Sequence, residues 1–234
     1  MAVDAFTYHP TVAHYLRFVA TTIGRDKCLR LIQYFARFLS FYLYRKGHTS
    51  ETVRIFNTIK AQLGLTRKIM RVGKNVEHFK AAGEAVDKRG VDPITRYLSV
   101  GRQLGYGGYL TFDALTVLDA AGIYKYAAAK KFQRWAYKFW LAGIVFSIVS
   151  GIYSLNKMKE KTRRAEKAVV PSGTEVMKLE KEKKVLNLQL LSDIADFCIP
   201  SSALGYLNLD DGFVGLAGMV SSYIGLQGAW NKTA

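Results

Sequence analysis

Proline and cysteine are scarce in this chain, and acidic side chains are far fewer than basic ones. Four prolines in 234 residues leave room for long, unbroken helices. The two cysteines, Cys28 and Cys198, lie inside apolar stretches, which excludes a disulfide scaffold and a cysteine metal cluster. They read as small core hydrophobes in a reducing compartment. The four histidines, His9, His14, His48 and His78, never pair at metal-ligand spacing, so neither a metal nor another cofactor is expected. No serine sits in a G-x-S-x-G elbow. GRQLGYGG (Gly101–Gly108) lacks the spacing of a phosphate loop and follows helix signals where a strand is needed, so it reads as packing. The chain is not expected to be an enzyme. The start, MAVDAFTYHP, is interrupted by Asp4 and is not a secretory signal; the end, NKTA, matches no soluble retention or import address.

Against 18 acidic residues stand 34 Lys and Arg, a net charge of +16 that implies an anionic partner, nucleic acid or a membrane surface. No ordered nucleic-acid motif is present, and an uncharged run tips the choice to lipid. Phe139–Leu155 (FWLAGIVFSIVSGIYSL) is 17 residues without a charge. At about 1.5 Å per residue it extends about 25 Å, the short end of a membrane span. Trp135, Tyr137 and Trp140 at one edge and Tyr153 at the other suit the headgroup zone, and Lys138 and Lys157 can snorkel outward. The alternative is a buried helix of a soluble protein.

Before that run, His9–Gly24 reads as a short helix with Pro10 early and Gly24 as its stop. Arg25–Tyr44 follows, with Asp26, Arg30, Gln33 and Arg37 on one narrow stripe. So apolar a helix is expected to be buried, in a bundle core or deep in a membrane interface. Thr49–Leu63 reads as an ordinary amphipathic helix. In Leu65–Val86 the residues Leu65, Ile69, Val72, Val76, Phe79, Gly83 and Val86 form an apolar arc, with Arg67, Arg71, Lys74 and His78 opposite. Lys68 and Lys80 fall at the borders. The pattern suits a basic amphipathic helix lying in a headgroup layer, or a bundle helix with a solvated basic face. On the first reading Arg67, Lys68, Arg71 and Lys74 contribute about 1 kcal/mol each at an anionic surface.

Asp92–Pro93 is a helix start, and Gly101 and Gly105 lie four apart on one face of the helix it opens, permitting close contact. Lys125–Lys138 is basic and aromatic; it suits either targeting or interfacial anchoring. Residues 156–184 read as a charged linker, mobile around Pro171, and Val185–Ile199 resumes helical periodicity. Gly212–Trp230 is a second uncharged segment. Its Gly215, Gly218, Ser222 and Gly225 would let a partner helix approach, either Phe139–Leu155 or a second copy of the chain. The expected organisation is therefore 1–90, an amphipathic helical region; 91–155, ending in the span 139–155; the linker 156–184; and 185–234, containing the segment 212–230. The fold class is all-α, a helical integral membrane protein with a C-terminal membrane hairpin. Asp113, Asp119, Asp193 and Asp196 are candidate lining residues for an alternative function, a pore for small solutes.

Tyr8-His9-Pro10, then Gly24-Arg25-Asp26-Lys27, Arg30, Gln33-Tyr34 and Arg37, resemble the fungal form of the peroxisomal biogenesis factor eleven family. The likeness continues through RKIMRVGKNVEHFKAA (Arg67–Ala82), RYLSVGRQLGYGGYLTFD (Arg96–Asp113) and the closing GLAGMVSSYIGLQGAW. The resemblance implies an integral peroxisomal membrane protein, both termini cytosolic, that elongates and divides peroxisomes. It further implies that the amphipathic segment matching Leu65–Lys80 inserts into the cytosolic leaflet and bends it. Homo-oligomerisation, support of a dynamin-like fission machinery, and recognition by an import receptor for peroxisomal membrane proteins are implied likewise. Both flanks of the span are basic, so charge bias does not decide orientation.

Overall fold

The computed structural model describes residues 7–166 and 173–234, with side chains over 7–163 and 177–234; no strand occurs among them. The helices are α1 (Pro10–Ala20), α2 (Thr22–Arg45), α3 (Ser50–Met70), α4 (Asn75–Asp87), α5 (Pro93–Leu115), the single turn α6 (Val117–Ala120), α7 (Ala129–Glu166), α8 (Gly173–Ala203) and α9 (Asp211–Asn231). They form two compact units, Met1–Met70 with Leu209–Ala234, and Arg71–Asn208. This division differs from the four segments expected from composition. Region 1–90 crosses the boundary at Met70, and most of the expected linker 156–184 is helix, the ends of α7 and α8. The stretch around Pro171 lies outside the described residues.

Helix starts follow the local chemistry. His9 Nδ1 accepts from the Thr11 N–H at 3.2 Å ahead of Pro10, Asp92 Oδ2 from Thr95 at 3.1 Å ahead of Pro93, and Asp210 Oδ1 from Phe213 at 2.8 Å. Two breaks differ from expectation. The first falls at Thr21, whose Oγ1 caps α2 by accepting from Gly24 N–H at 2.9 Å. Gly24 is thus inside a helix, not at a stop; a Cβ there would lie 2.2 Å from the Phe18 carbonyl oxygen, so the close corner requires glycine. The second break interrupts the expected helix Leu65–Val86. The chain turns over residues 71–74 with Gly73 at φ +83°, a conformation glycine adopts freely.

In the first unit α2 is central, with α1, α3 and α9 packed on it. Gly212, Gly215 and Gly218 of α9 lie on Phe41, Phe38 and Tyr34 of α2, an antiparallel register that continues to Gly225 over Lys27. Phe18 of α1 closes the far end against Trp230 at 5.3 Å. In the second unit α5 and α7 run antiparallel, with Gly101 on Phe146, Gly105 on the backbone of Gly143 and Gly108 on Phe139. Tyr109 stacks on Trp140 at 5.2 Å. Next to these, α4 rests on α5 with Phe79 on Gly107, and α8 rests on α7 with Leu190 beside Gly151.

At the start of α5, Asp92 joins two helices. Tyr153 Oη donates to its Oδ2 at 3.0 Å, and Lys157 Nζ lies 3.1 Å from its Oδ1. The Thr95 N–H bond above all lowers the Asp92 pKa, to about 2; partial burial opposes this, and Lys157, Tyr153 and the Thr95 hydroxyl add to the lowering. A depressed folded pKa contributes stability above the ordinary carboxylate value of about 3.9. That stability is lost as pH falls through about 2. An Asp92→Asn variant should therefore show a flatter loss of stability than the parent from about pH 4 downward, measured by acid unfolding in detergent.

The glycine contacts give opposite expectations at two sites. A Cβ at Gly105 would lie 2.5 Å from Gly143 Cα, whereas at Gly83 nothing lies within 4 Å. Gly105→Ala should cost about 1–3 kcal/mol by forcing α5 from α7. Gly83→Ala, in an exposed helix interior, should add about 0.5–1 kcal/mol. Thermal unfolding of the two variants in detergent should move in opposite directions.

Candidate membrane-facing surface

Both units bury polar side chains beside their apolar core and turn large apolar side chains outward. In α9 the outward residues are Phe213, Leu216, Val220 and Tyr223, while Ser221 and Ser222 are buried with the glycines. α2 exposes Ile23, Ile32, Phe35 and Tyr42 and buries Arg30 and Ser40. Of the two settings expected for its apolar surface, a bundle core is corrected for these residues, since the narrow polar stripe faces inward. Arg30 donates to Ser221 Oγ at 3.2 Å, and Arg37 bonds Asp211 at 2.6 Å. In the second unit α8 turns Leu191 and Ile194 outward while Ser192, Asp193 and Asp196 are buried. Exposed apolar area spread over so many helix faces needs an apolar solvent or a partner. Polar groups that face a helical bundle's interior, paired, are the arrangement lipid imposes.

The segment proposed from periodicity as membrane-binding divides along the same lines. Ile69 in the first unit is 51% exposed, and Val76 in the second is 65% exposed, with Val72, Phe79 and Val86 also outward. Leu65, Lys68 and Lys74 are half-buried. Lys80 is exposed and lies 3.7 Å from Glu84 one turn on. Arg67 and Arg71 correct the reading of a free basic face. Arg67 is only 6% exposed; its Nε donates to Asp26 at 2.9 Å and its Nη1 to Gln33 at 2.6 Å, both on α2. Arg71 donates to Asp113 Oδ2 of α5 at 2.9 Å and lies over the Tyr109 ring at 5.6 Å. Two of the four charges assigned to lipid attraction are therefore spent inside the protein, where a neighbouring carboxylate outweighs a screened headgroup.

Only one helix among the described residues is long and apolar enough to cross a membrane, Ala129–Arg163, and 22% of its apolar window is buried. It contains Phe139–Leu155. Val145, Val149 and Ile152 face out; Ala136, Trp140, Ile144 and Ser147 face in. Gly212–Trp230 falls short of that standard because five glycines, two serines and a glutamine dilute it. Its small residues serve α2 in the same chain: Gly215 and Gly218 meet Phe38 and Tyr34, Gly225 meets Lys27, and Ser222 is wholly buried. Gly101 and Gly105 likewise face α7.

The four aspartates considered as pore lining have other engagements. Asp113 holds Arg71, and Asp119 lies 3.7 Å from Lys125. Asp193 accepts from Ser147 at 2.6 Å and from Gln189 at 2.8 Å. Asp196 is buried one turn from Asp193. Pairings such as Arg67–Asp26 and Ser147–Asp193 were not foreseen, although a charge within an apolar helix already signals a complementary group on a neighbour.

A family model described as peroxisomal biogenesis factor 11 (PEX11) matches residues 12–230. Peroxisomal membrane protein PMP27 of Saccharomyces cerevisiae is 30% identical over 249 residues, covering 100% of each chain. PMP30A of Candida boidinii, also a peroxisomal membrane protein, is 29% identical over 254 residues, covering 100% of this chain and 99% of its own. Peroxisomal biogenesis factor 11 of Schizosaccharomyces pombe is 23% identical over 228 residues, covering 95% of this chain and 96% of its own. No solved structure matches. The match runs through both units and nearly every helix described above, and the chain belongs to the peroxisomal biogenesis factor 11 family.

Proposed function

We propose that the protein is an integral component of the peroxisomal membrane that elongates it, promoting proliferation and fission, through the apolar residues of Leu65–Lys80. The exposure of Ile69, Val72, Val76 and Phe79 while Arg67 and Arg71 are tied to the protein carries this reading. Side chains inserted shallowly into one leaflet expand it against the other and favour curvature. Arg67 then ties Leu65–Met70 to the first unit and Arg71 ties the residues after it to the second, while Lys74 and Lys80 lie beside the apolar residues at the level of the anionic headgroups.

Phe139–Leu155 serves as a membrane span in this reading. Gly212–Trp230 enters the hydrocarbon alongside α2, its Phe213–Tyr223 stripe outward. Both termini face the cytosol, as the family resemblance implies. Self-association needs a surface other than the Gly215–Gly218 face, which α2 occupies. A dynamin-like fission machinery and an import receptor are the partners that the same resemblance implies.

The test is reconstitution of the full chain in anionic liposomes. An Ile69→Glu/Val76→Glu variant should insert as before and lose tubulation; unchanged tubulation would falsify the wedge. The anchoring role has its own expectation. Arg71→Gln alone leaves a buried carboxylate at Asp113 without its guanidinium and should cost about 3–5 kcal/mol. Adding Asp113→Asn should recover most of that loss in thermal unfolding and restore tubulation with it. A double variant that is stable yet does not tubulate would assign the Arg71 charge to lipid instead.

A further inference from the structure

The connection between α5 and α7 presents a surface that the wedge segment does not use. After α6 the chain reverses at Gly122, φ +75°, and several bonds hold the reversal. Ile123 N–H donates to the Leu118 carbonyl at 3.0 Å, and Lys125 Nζ reaches back to the Asp119 carbonyl at 2.5 Å. Tyr126 donates its hydroxyl to the Leu115 carbonyl. Beneath lies a sheet of rings: Phe112 packs with Phe132, Trp135 and Phe139 at 5.5–6.2 Å. On this stiff base the tip is apolar, with Ile123 74% and Tyr124 65% exposed and Leu115 and Leu118 also outward.

Cations follow that tip in the chain. Lys130, Lys131 and Arg134 are exposed on the first turns of α7, and Lys138 lies over Trp135 at 5.0 Å. Between Asp119 and Glu160 the chain has no acidic residue. The surface also abuts the start of the uncharged run at Phe139, where a span meets the headgroups. Flexible cations without acidic complements, beside projecting aliphatic and aromatic groups, match a layer of phosphates over hydrocarbon.

We propose that Leu118–Lys138 is a second lipid-contacting element, in which Ile123 and Tyr124 enter an anionic leaflet while Lys130, Lys131 and Arg134 engage its phosphate-bearing headgroups. This rests on the reading of α7 as a span but not on the wedge at Leu65–Lys80. The loop is fixed in shape before it meets lipid, so its insertion depth depends on headgroup charge rather than on folding at the surface.

The full chain with Cys28→Ser, Cys198→Ser and Ile123→Cys carries a polarity-sensitive label at position 123. It is reconstituted in vesicles of phosphatidylcholine alone or with about a third phosphatidylserine. The label should be quenched by nitroxide-bearing lipid in the anionic vesicles, with the effect weakening as salt rises. Lys130→Ser/Lys131→Ser/Arg134→Ser should reduce that quenching at least threefold while α7 stays inserted. Quenching by aqueous iodide to the same extent in both vesicles overturns the proposal and leaves the tip for a protein partner. Equal lipid quenching with and without phosphatidylserine overturns the role of the cations. Placing Ile69→Glu/Val76→Glu in the labelled chain separates the two readings. Loss of tubulation with the tip still quenched upholds both, and retained tubulation with a quenched tip removes the wedge alone.

Discussion

A guanidinium closed on a largely buried carboxylate, in the first unit as in the second, sets the direction in which the surrounding helices face. Arg67 with Asp26 and Gln33 joins α3 to α2; Arg71 with Asp113 joins the turn before α4 to α5. Both pairs are largely removed from solvent, and a buried charge without its partner is costly. With the polar stripes committed inward, the apolar residues at the other phases of each helix have only the outside left. α2, α8 and α9 all obey that rule.

Small residues make the inward pairing geometrically possible. Where hydrocarbon surrounds a bundle, helices gain little from excluding water and must approach closely to gain dispersion. Gly105 against the Gly143 backbone, and Gly215 against Phe38, are such approaches. Arg30 reaches Ser221 across the α2–α9 seam, and Ser147 of α7 reaches Asp193 of α8 on the other side of the Gly143 helix.

Much of this architecture was legible in the sequence. The Asp92–Pro93 start, the uncharged run Phe139–Leu155 and the two-faced pattern of Leu65–Val86 follow from capping chemistry, charge and period. Period alone, however, fixes which residues share a face and not which face is turned inward. In water the apolar face of α2 would be buried; here Ile32 and Phe35 are outside, and Arg30 is within. The break at Gly73 was hidden because helix signals continue on both sides of it and no proline marks it. Gly24 misled for the complementary reason: glycine after an apolar run reads as a stop, whereas here it relieves a collision with Phe18.

Ser147 stands at the middle of the uncharged run, and its hydroxyl holds the Asp193 carboxylate. On the membrane reading α7, which bears no charge across Phe139–Leu155, can enter hydrocarbon alone, whereas an Asp near the centre of α8 costs about 2.5–3.5 kcal/mol without a partner. On that reading α7 is the post against which α8 rests, the Ser147 hydroxyl and Gln189 of α8 together answering the Asp193 carboxylate.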